Sequence, residues 1–362
     1  MMAIRDLGYA ALAIAALWCA ARVGGAGPQK PMEIRVVIVT TFEVGKDTGD
    51  APGELQDWVE RYPLKESLPF PQGTHPLRYD AKDHVLAILT GVGKSQAAAS
   101  VMALGMDPRF DLRKAYWILA GIGGIDPKAG SVGSAAWAMH VVDGDLAYEI
   151  DRREIPADWS TGIVPYDRST PFERPTPPVV SDNGTLEFEL NEGLVDWAYD
   201  LTRDLALEDD GRLRSARAAF REMPNAQRPP FVLKGDSLTA DRFWLGESMT
   251  AWAEQWVSYW THGRGSLATS AEEDAAYLQA LTFLAQAGRI DLKRALDLRT
   301  GSDFTYPPKG TSAAVFLKSE ATGNYAAYDE AIDNAYRVGV PVVRELAEHW
   351  AKYRQTIPTG KR

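Results

Sequence analysis

The sequence predicts an α/β protein with an open, mostly parallel central sheet in one domain, and three observations predict it. Short, nearly continuous apolar segments rich in β-branched residues recur along the chain, as strands buried on both faces require. Glycine turns follow their ends. Helical patterns separate them, and strand–helix alternation builds a parallel sheet covered by helices. The 362 residues, 45% hydrophobic and 24% charged, suffice for a full core.

Taken in order, the first 26 residues read as a signal peptide. Arg5 supplies the positive start, Leu7 to Ala21 the apolar stretch, and small residues follow through Gly27, so cleavage after Ala21 or Ala26 fits. The expected location is therefore exported, periplasmic or extracellular; the alternative is a single N-terminal membrane anchor. Cys19 is the only cysteine. Trp18 before it is too bulky for lipidation, and once the signal is removed no thiol remains for disulfides, zinc or nucleophilic catalysis. No later apolar run approaches the roughly 20 residues that cross a bilayer, so no membrane span is expected in the mature chain.

The folded domain is placed at 32–355. Met32–Thr41, His84–Thr90 and Ala115–Ala120 are predicted strands, and Ser131–Val142 reads as further strand. Ser95–Met106 is an Ala-rich helix. Insertions are expected near 155–180, where Pro165 to Pro178 is rich in Pro, Thr and charge, and near 305–316; both are candidate lids. Glu192–Asp209 is predicted as an amphipathic helix, Phe231–Lys234 as a short strand, Ser248–Tyr259 and Ala271–Gln286 as helices, and Leu296–Thr300 as a late strand. Asn324–Trp350 is a long helical stretch that Pro341 is expected to kink or divide.

The net charge of −10, without basic runs, argues against gripping nucleic acid, whose affinity comes from Lys and Arg on phosphates. The five histidines, at 75, 84, 140, 262 and 349, show neither metal-ligand spacing nor a triad and are read as unrelated to catalysis. Polar or glycine features follow the predicted strand ends: Glu43, then Gly91-Val92-Gly93-Lys94, Gly121-Ile122-Gly123-Gly124, Gly235-Asp236 and Ser302-Asp303. Carboxylates and bare backbone at one sheet edge suit a polar small molecule. Each also has a plain reading. Gly-Val-Gly-Lys is not a P-loop, and a glycine turn is often only a turn. Glu272, Glu273 and Asp274 suit a charged first helical turn. Asp303 suits a loop or a helix cap.

Order and joint spacing distinguish these features. The segments VVIVTTFEVGKDTGDAPGE, LTGVGKSQAAASVMALG, DPRFDLRKAYWILAGIGGIDP, GDSLTADRFW and LDLRTGSDFTYPP make the chain resemble the purine nucleoside permease family, within the nucleoside phosphorylase and nucleosidase superfamily. The likeness runs from about residue 32 to about 350. It implies a single-domain, nucleoside-phosphorylase-like fold with a mixed, mostly parallel sheet flanked by helices.

The resemblance also implies roles. TGVGK, with Gly91 and Lys94, is similar to the SGIGK turn of methylthioadenosine/S-adenosylhomocysteine nucleosidases. Gly121, Gly123 and Gly124 stand where those enzymes bring backbone close to the base. Phe243 and Trp244 match an aromatic pair on base and sugar, in a segment that begins with Gly235-Asp236. Glu273 matches the glutamate of a Met-Glu motif that holds ribose hydroxyls, with Glu272 in place of Met. Ser302-Asp303 matches a Ser-Asp acid that protonates purine N7. Glu43 lies near the acid that positions water. Phosphorylases of the superfamily hold phosphate with arginines and a serine; the first loop here offers Thr41-Phe42-Glu43, and the third strand Leu119 and Ile122. Water is thus the expected nucleophile and the expected activity a purine nucleosidase using neither metal nor organic cofactor, with a phosphorylase or a nucleoside-binding protein supporting transport as alternatives. A homo-oligomer fits, since superfamily sites are often completed by a neighbouring subunit.

Overall fold

The computed structural model describes residues 30–177, 180–181, 184–320 and 325–360; the expected signal peptide lies outside them. Among the described residues one sheet holds twelve strands. In chain order they are β1 (Val36–Thr40), β2 (Glu66–Leu68), β3 (Leu77–Asp80), β4 (Val85–Leu89), β5 (Tyr116–Ile125), β6 (Ala135–Trp137), β7 (His140–Asp143), β8 (Glu187–Glu189), β9 (Val232–Lys234), β10 (Asp236–Thr239), β11 (Leu267–Ala271) and β12 (Ala295–Phe304). The helices that matter below are α1 (Gln56–Arg61), α2 (Lys94–Met106), α3 (Glu192–Thr202), α4 (Glu247–Trp260), α5 (Asp274–Gln286), α6 (Ala313–Glu320) and α7 (Tyr328–Glu348).

The parallel run β4–β1–β5–β12 forms the middle of the sheet. Every residue of β1, β4 and β12 is buried; β1 and β4 read accordingly as nearly unbroken apolar runs, whereas β12 buries Asp297, Arg299 and Asp303 among its apolar and small residues. From β5 the pairing closes on itself. β12 pairs β6, β6 leads in two residues to β7, β7 pairs β10, β10 pairs β11, and β11 returns to β5. β11 on β5 and β6 on β12 are antiparallel, as are the outer strands β3 and β8 on their neighbours, so the sheet is mixed as expected.

Several elements differ from the sequence reading, each for a local reason. Gly121–Gly124 is not a turn after β5 but its continuation, because β12 runs on to Phe304 and keeps pairing it. Ser131–Val142 divides: Ser131–Ser134 turn, with Ser131 and Ser134 hydroxyls 2.8 Å apart, before two short strands. The short strand β11 precedes α5, so Ala271 is strand, and Glu272 and Glu273 lie in the link with Glu273 at the N-cap position. Its sequence, LATSA, lacks the β-branched apolar run that marks the other central strands. The predicted helix at 192–209 ends at Thr202, where the Thr202 hydroxyl donates back to the Ala198 carbonyl at 2.7 Å. Pro341 does not divide α7. Val338, Val342, Val343 and Leu346 on that helix are fully buried, and this packing outweighs one missing N–H.

Candidate active site

Loops after the central strands enclose a cavity of about 530 Å³. Thr41 and Phe42 come from the end of β1, Val92 from beyond β4, Ile122, Gly123 and Gly124 from β5, and Ala240 to Trp244, except Asp241, from beyond β10. Ser270 to Glu273 leave β11, and Arg299, Ser302 and Asp303 belong to β12. The cavity therefore sits where parallel strands end, the usual ligand position in open α/β sheets.

Four carboxyls line it: Glu54, Glu272, Glu273 and Asp303. Glu54 reaches back from the loop after β1. Its Oε2 accepts from the Thr41 amide at 2.6 Å and hydroxyl at 2.9 Å, and its Oε1 from the Ile122 amide at 2.7 Å. Glycine at 121 leaves room for this carboxylate, since a Cβ there would collide with Glu54 Oε1 and push it aside. Burial pushes the Glu54 carboxyl up to about 7, against the pull of Arg299, whose Nη1 is 3.6 Å away.

Asp303 is 3% exposed. The Ser302 hydroxyl donates to its Oδ1 at 2.8 Å; among the described residues its Oδ2 takes no hydrogen bond. Burial pushes this carboxyl up to about 6, opposed only by Ser302. Gly124 lies against it: a Cβ there would come 2.7 Å from Ser270 Oγ and 3.6 Å from Asp303 Oδ2.

Glu273 is held from both sides. The Gly93 amide donates to its Oε1 at 2.9 Å and Arg299 Nη2 to its Oε2 at 2.8 Å. Glu272 makes no hydrogen bond among the described residues, and burial, then repulsion by Glu273, pushes it up to about 7. Arg299 is the deep cation. Besides Glu273 it donates from Nε and Nη2 to Asp274 Oδ1, at 2.8 and 2.5 Å, and from Nη1 to the Ile122 carbonyl at 2.8 Å. Arg242, at the rim, pairs with Asp145 at 3.4 Å and Glu149 at 3.3 Å. Aromatic rings complete the wall. Phe243 is 46% exposed, Trp244 packs edge-on to Trp252, and Tyr328 lies between Phe42 and Tyr325.

The structure thus brings together Gly123, Gly124, Phe243, Trp244, Glu273, Ser302 and Asp303 among the predicted residues. Others stand outside the cavity. Glu43 closes its own loop, accepting from the amides of Val44 at 2.8 Å, Gln56 at 2.6 Å and Gly53. Asp236 accepts from the His140 amide and Nδ1, at 2.8 and 3.1 Å, and from the Ser266 amide at 2.6 Å. Lys94 points to Asp143 and Asp145, at 2.8 and 2.9 Å, and Gly91 turns the chain at φ +91°. Leu119 is buried in the core, whereas Ile122 lines the cavity and presents its amide to Glu54. Sequence reasoning missed Glu54, Arg299 and the place of Glu272 on the cavity wall. Glu54 was concealed by the ten loop residues that separate it from Glu43; Arg299, inside an apparent core strand, was the available signal, since a buried arginine needs carboxylates.

Among the described residues, His140, Glu187 and Glu189 alone bring ligand atoms within 4.8 Å, as a metal would need. Arg264 already bridges the two glutamates at 2.9 and 2.8 Å, outside the cavity.

The model of the purine nucleoside permease (NUP) family matches residues 33–358. The chain belongs to this family. A probable purine nucleoside permease of Schizosaccharomyces pombe is 34% identical over 337 residues, covering 91% of this chain and 94% of the relative. The purine nucleoside permease of Candida albicans is 32% identical over 336 residues, covering 89% of this chain and 78% of that protein. Among solved structures, Helicobacter pylori futalosine hydrolase is similar in fold, with a TM-score of 0.51 at 12% identity, covering 86% of this chain and 98% of that one. The permease family member thus has the nucleoside phosphorylase/nucleosidase fold that its sequence led us to expect.

Proposed function

We propose that this permease family member hydrolyses the N-glycosidic bond of purine nucleosides. One observation carries the reading: four carboxyls line one cavity whose deep cation, Arg299, is already engaged by Glu273 and Asp274. Cleaving the bond builds positive charge on the sugar and negative charge on the base. Carboxylates favour the first, and a protonated Asp303 serves the second.

In this reading Asp303, raised to about 6, gives its proton to purine N7 as the C1′–N9 bond breaks and its electron pair moves to the base. Glu54 takes the place expected for Glu43: it accepts a proton from water as the water oxygen bonds C1′. Glu273 and the unpartnered Glu272 face the sugar, while Phe243 and Trp244 supply stacking area. The products are free base and free sugar. Phosphate as nucleophile would have to displace carboxylates from Arg299, and repulsion from Glu54 and Glu273 opposes that. The N-terminal pattern supports action after export, feeding nucleoside uptake.

The relatives' printed names favour a second reading, a nucleoside binder that supports transport. Among the described residues no helix is long and apolar enough to cross a membrane.

Inosine and adenosine, each incubated with the purified protein with and without phosphate, test both readings. Free ribose and base formed without phosphate are expected. Ribose 1-phosphate formed only with phosphate would make the protein a phosphorylase. Binding without turnover would support the second reading.

A further inference from the structure

Lys94 does not touch the cavity, yet it lies between two of its walls. At the N-terminus of α2 consecutive amides hold two carboxylates. The Gly93 amide donates to Glu273, the sugar-side acid, at 2.9 Å. The Lys94 amide donates to Asp241 Oδ1 at 2.7 Å. Asp241 belongs to the segment whose Ala240, Arg242, Phe243 and Trp244 form the aromatic wall. Its own amide donates to Asp145 Oδ2 at 2.7 Å. The Lys94 ammonium closes the circuit, 2.9 Å from that same Asp145 oxygen and 2.8 Å from Asp143 Oδ2. Asp145 Oδ1 also faces Arg242 at 3.4 Å. Lys94, Asp241 and Asp145 therefore form a closed ring of hydrogen bonds.

We infer that Lys94 is a positioning residue: through this ring it fixes the aromatic wall at 240–244 relative to Glu273. The inference rests on the nucleoside-cleaving reading for its functional consequence, not for the ring itself. Lys94 and Asp143 are part-buried, with side chains 19% and 15% exposed, and Asp145 is 21% exposed. Removing the cation leaves Asp143, Asp145 and Asp241 as neighbouring like charges opposed only by the rim residue Arg242, 3.4 Å from Asp145, and the repulsion pushes the wall segment away. The chemistry at Asp303 and Glu54 lies on β12 and on the loop after β1, outside the ring.

The test reads the ring directly. Hydrogen exchange of the unliganded wild type is compared with Lys94→Met, Lys94→Arg and Asp145→Asn. Exchange at 240–244 is expected to quicken about tenfold or more in Lys94→Met and Asp145→Asn, as losing a hydrogen bond to a charged group predicts, with the central strands unchanged. Lys94→Arg restores much of the protection. The double variant exchanges no faster than either single one, because both break one ring. In turnover, KM for inosine rises about tenfold in Lys94→Met while kcat stays within about threefold. Unchanged exchange at 240–244 in both single variants overturns the inference, as does a fall in kcat without a rise in KM. A wild type that neither binds nor cleaves nucleosides overturns the functional reading instead, and leaves the exchange result to judge the ring.

Discussion

Glu43 and Glu54 stand eleven positions apart on one loop, and both accept backbone hydrogen bonds, but they do different things. Glu43 takes the amides of Val44 and Gly53 on its own loop and of Gln56 at the start of α1, and so ties that loop shut. Glu54 reaches across to Thr41 and to Ile122 on β5, and lines the cavity beside Arg299. Asp236 and Asp303 repeat the contrast. Both are buried, at 4% and 3% exposure, yet Asp236 closes on His140 and Ser266 while Asp303 leaves one oxygen toward the cavity. A carboxylate near a strand end is thus either a brace or, like Glu54 and Asp303, part of the cavity wall. The direction in which its loop closes decides which.

The strongest way to break this contrast is at the aspartates. Asp303→Asn is expected to lower kcat by about 10² to 10⁴, the usual contribution of a general acid, with nucleoside affinity changed little. Asp236→Asn should keep its turnover once folded but melt earlier, because an amide N–H would face a buried donor, at about 1–3 kcal/mol. Equal kinetic losses in both variants would erase the distinction.

The pH profile sharpens it. In the proposed reaction Glu54 acts ionised, and its carboxyl is pushed up to about 7; Asp303 acts protonated, and it is pushed up to about 6. Turnover then fails on the acid side through Glu54 and on the alkaline side through Asp303, giving a bell centred between about 6 and 7. A flat profile from pH 5 to 8 would remove both groups from their roles.

A smaller effect concerns stability. Glu272 is pushed from 4.5 up to about 7, so the folded state holds its proton more tightly than the unfolded chain. Its contribution is present below about 4.5 and is lost as pH rises toward 7. Glu272→Gln cannot lose it, so the variant's melting temperature should gain on the wild type by a few degrees between pH 4.5 and 7.5. A constant difference across that range would show that the carboxyl is not perturbed.

The strands that position the cavity were legible because β1, β4 and the first half of β5 are apolar on both faces. β11 was not, since Thr269 and Ser270 are small polar residues, the first buried by neighbouring strands and the second half-buried on the cavity wall. The site was legible where chemistry and place coincide in a short motif, as at Ser302-Asp303. It was hidden at Glu54, whose partners lie 13 and 68 residues away and whose approach depends on Gly121 lacking a side chain. Lys94 shows the converse: a cation in a suggestive turn that folds away from the cavity because Asp143 and Asp145 claim it.

The central claim is that Glu54, not Glu43, handles the water. Inosine turnover in phosphate-free buffer by Glu54→Gln and Glu43→Gln, each confirmed as folded, tests it most directly. The structure predicts a loss of about 10² or more for Glu54→Gln and retention within about fivefold for Glu43→Gln. Loss at Glu43 with turnover kept at Glu54 would contradict the account.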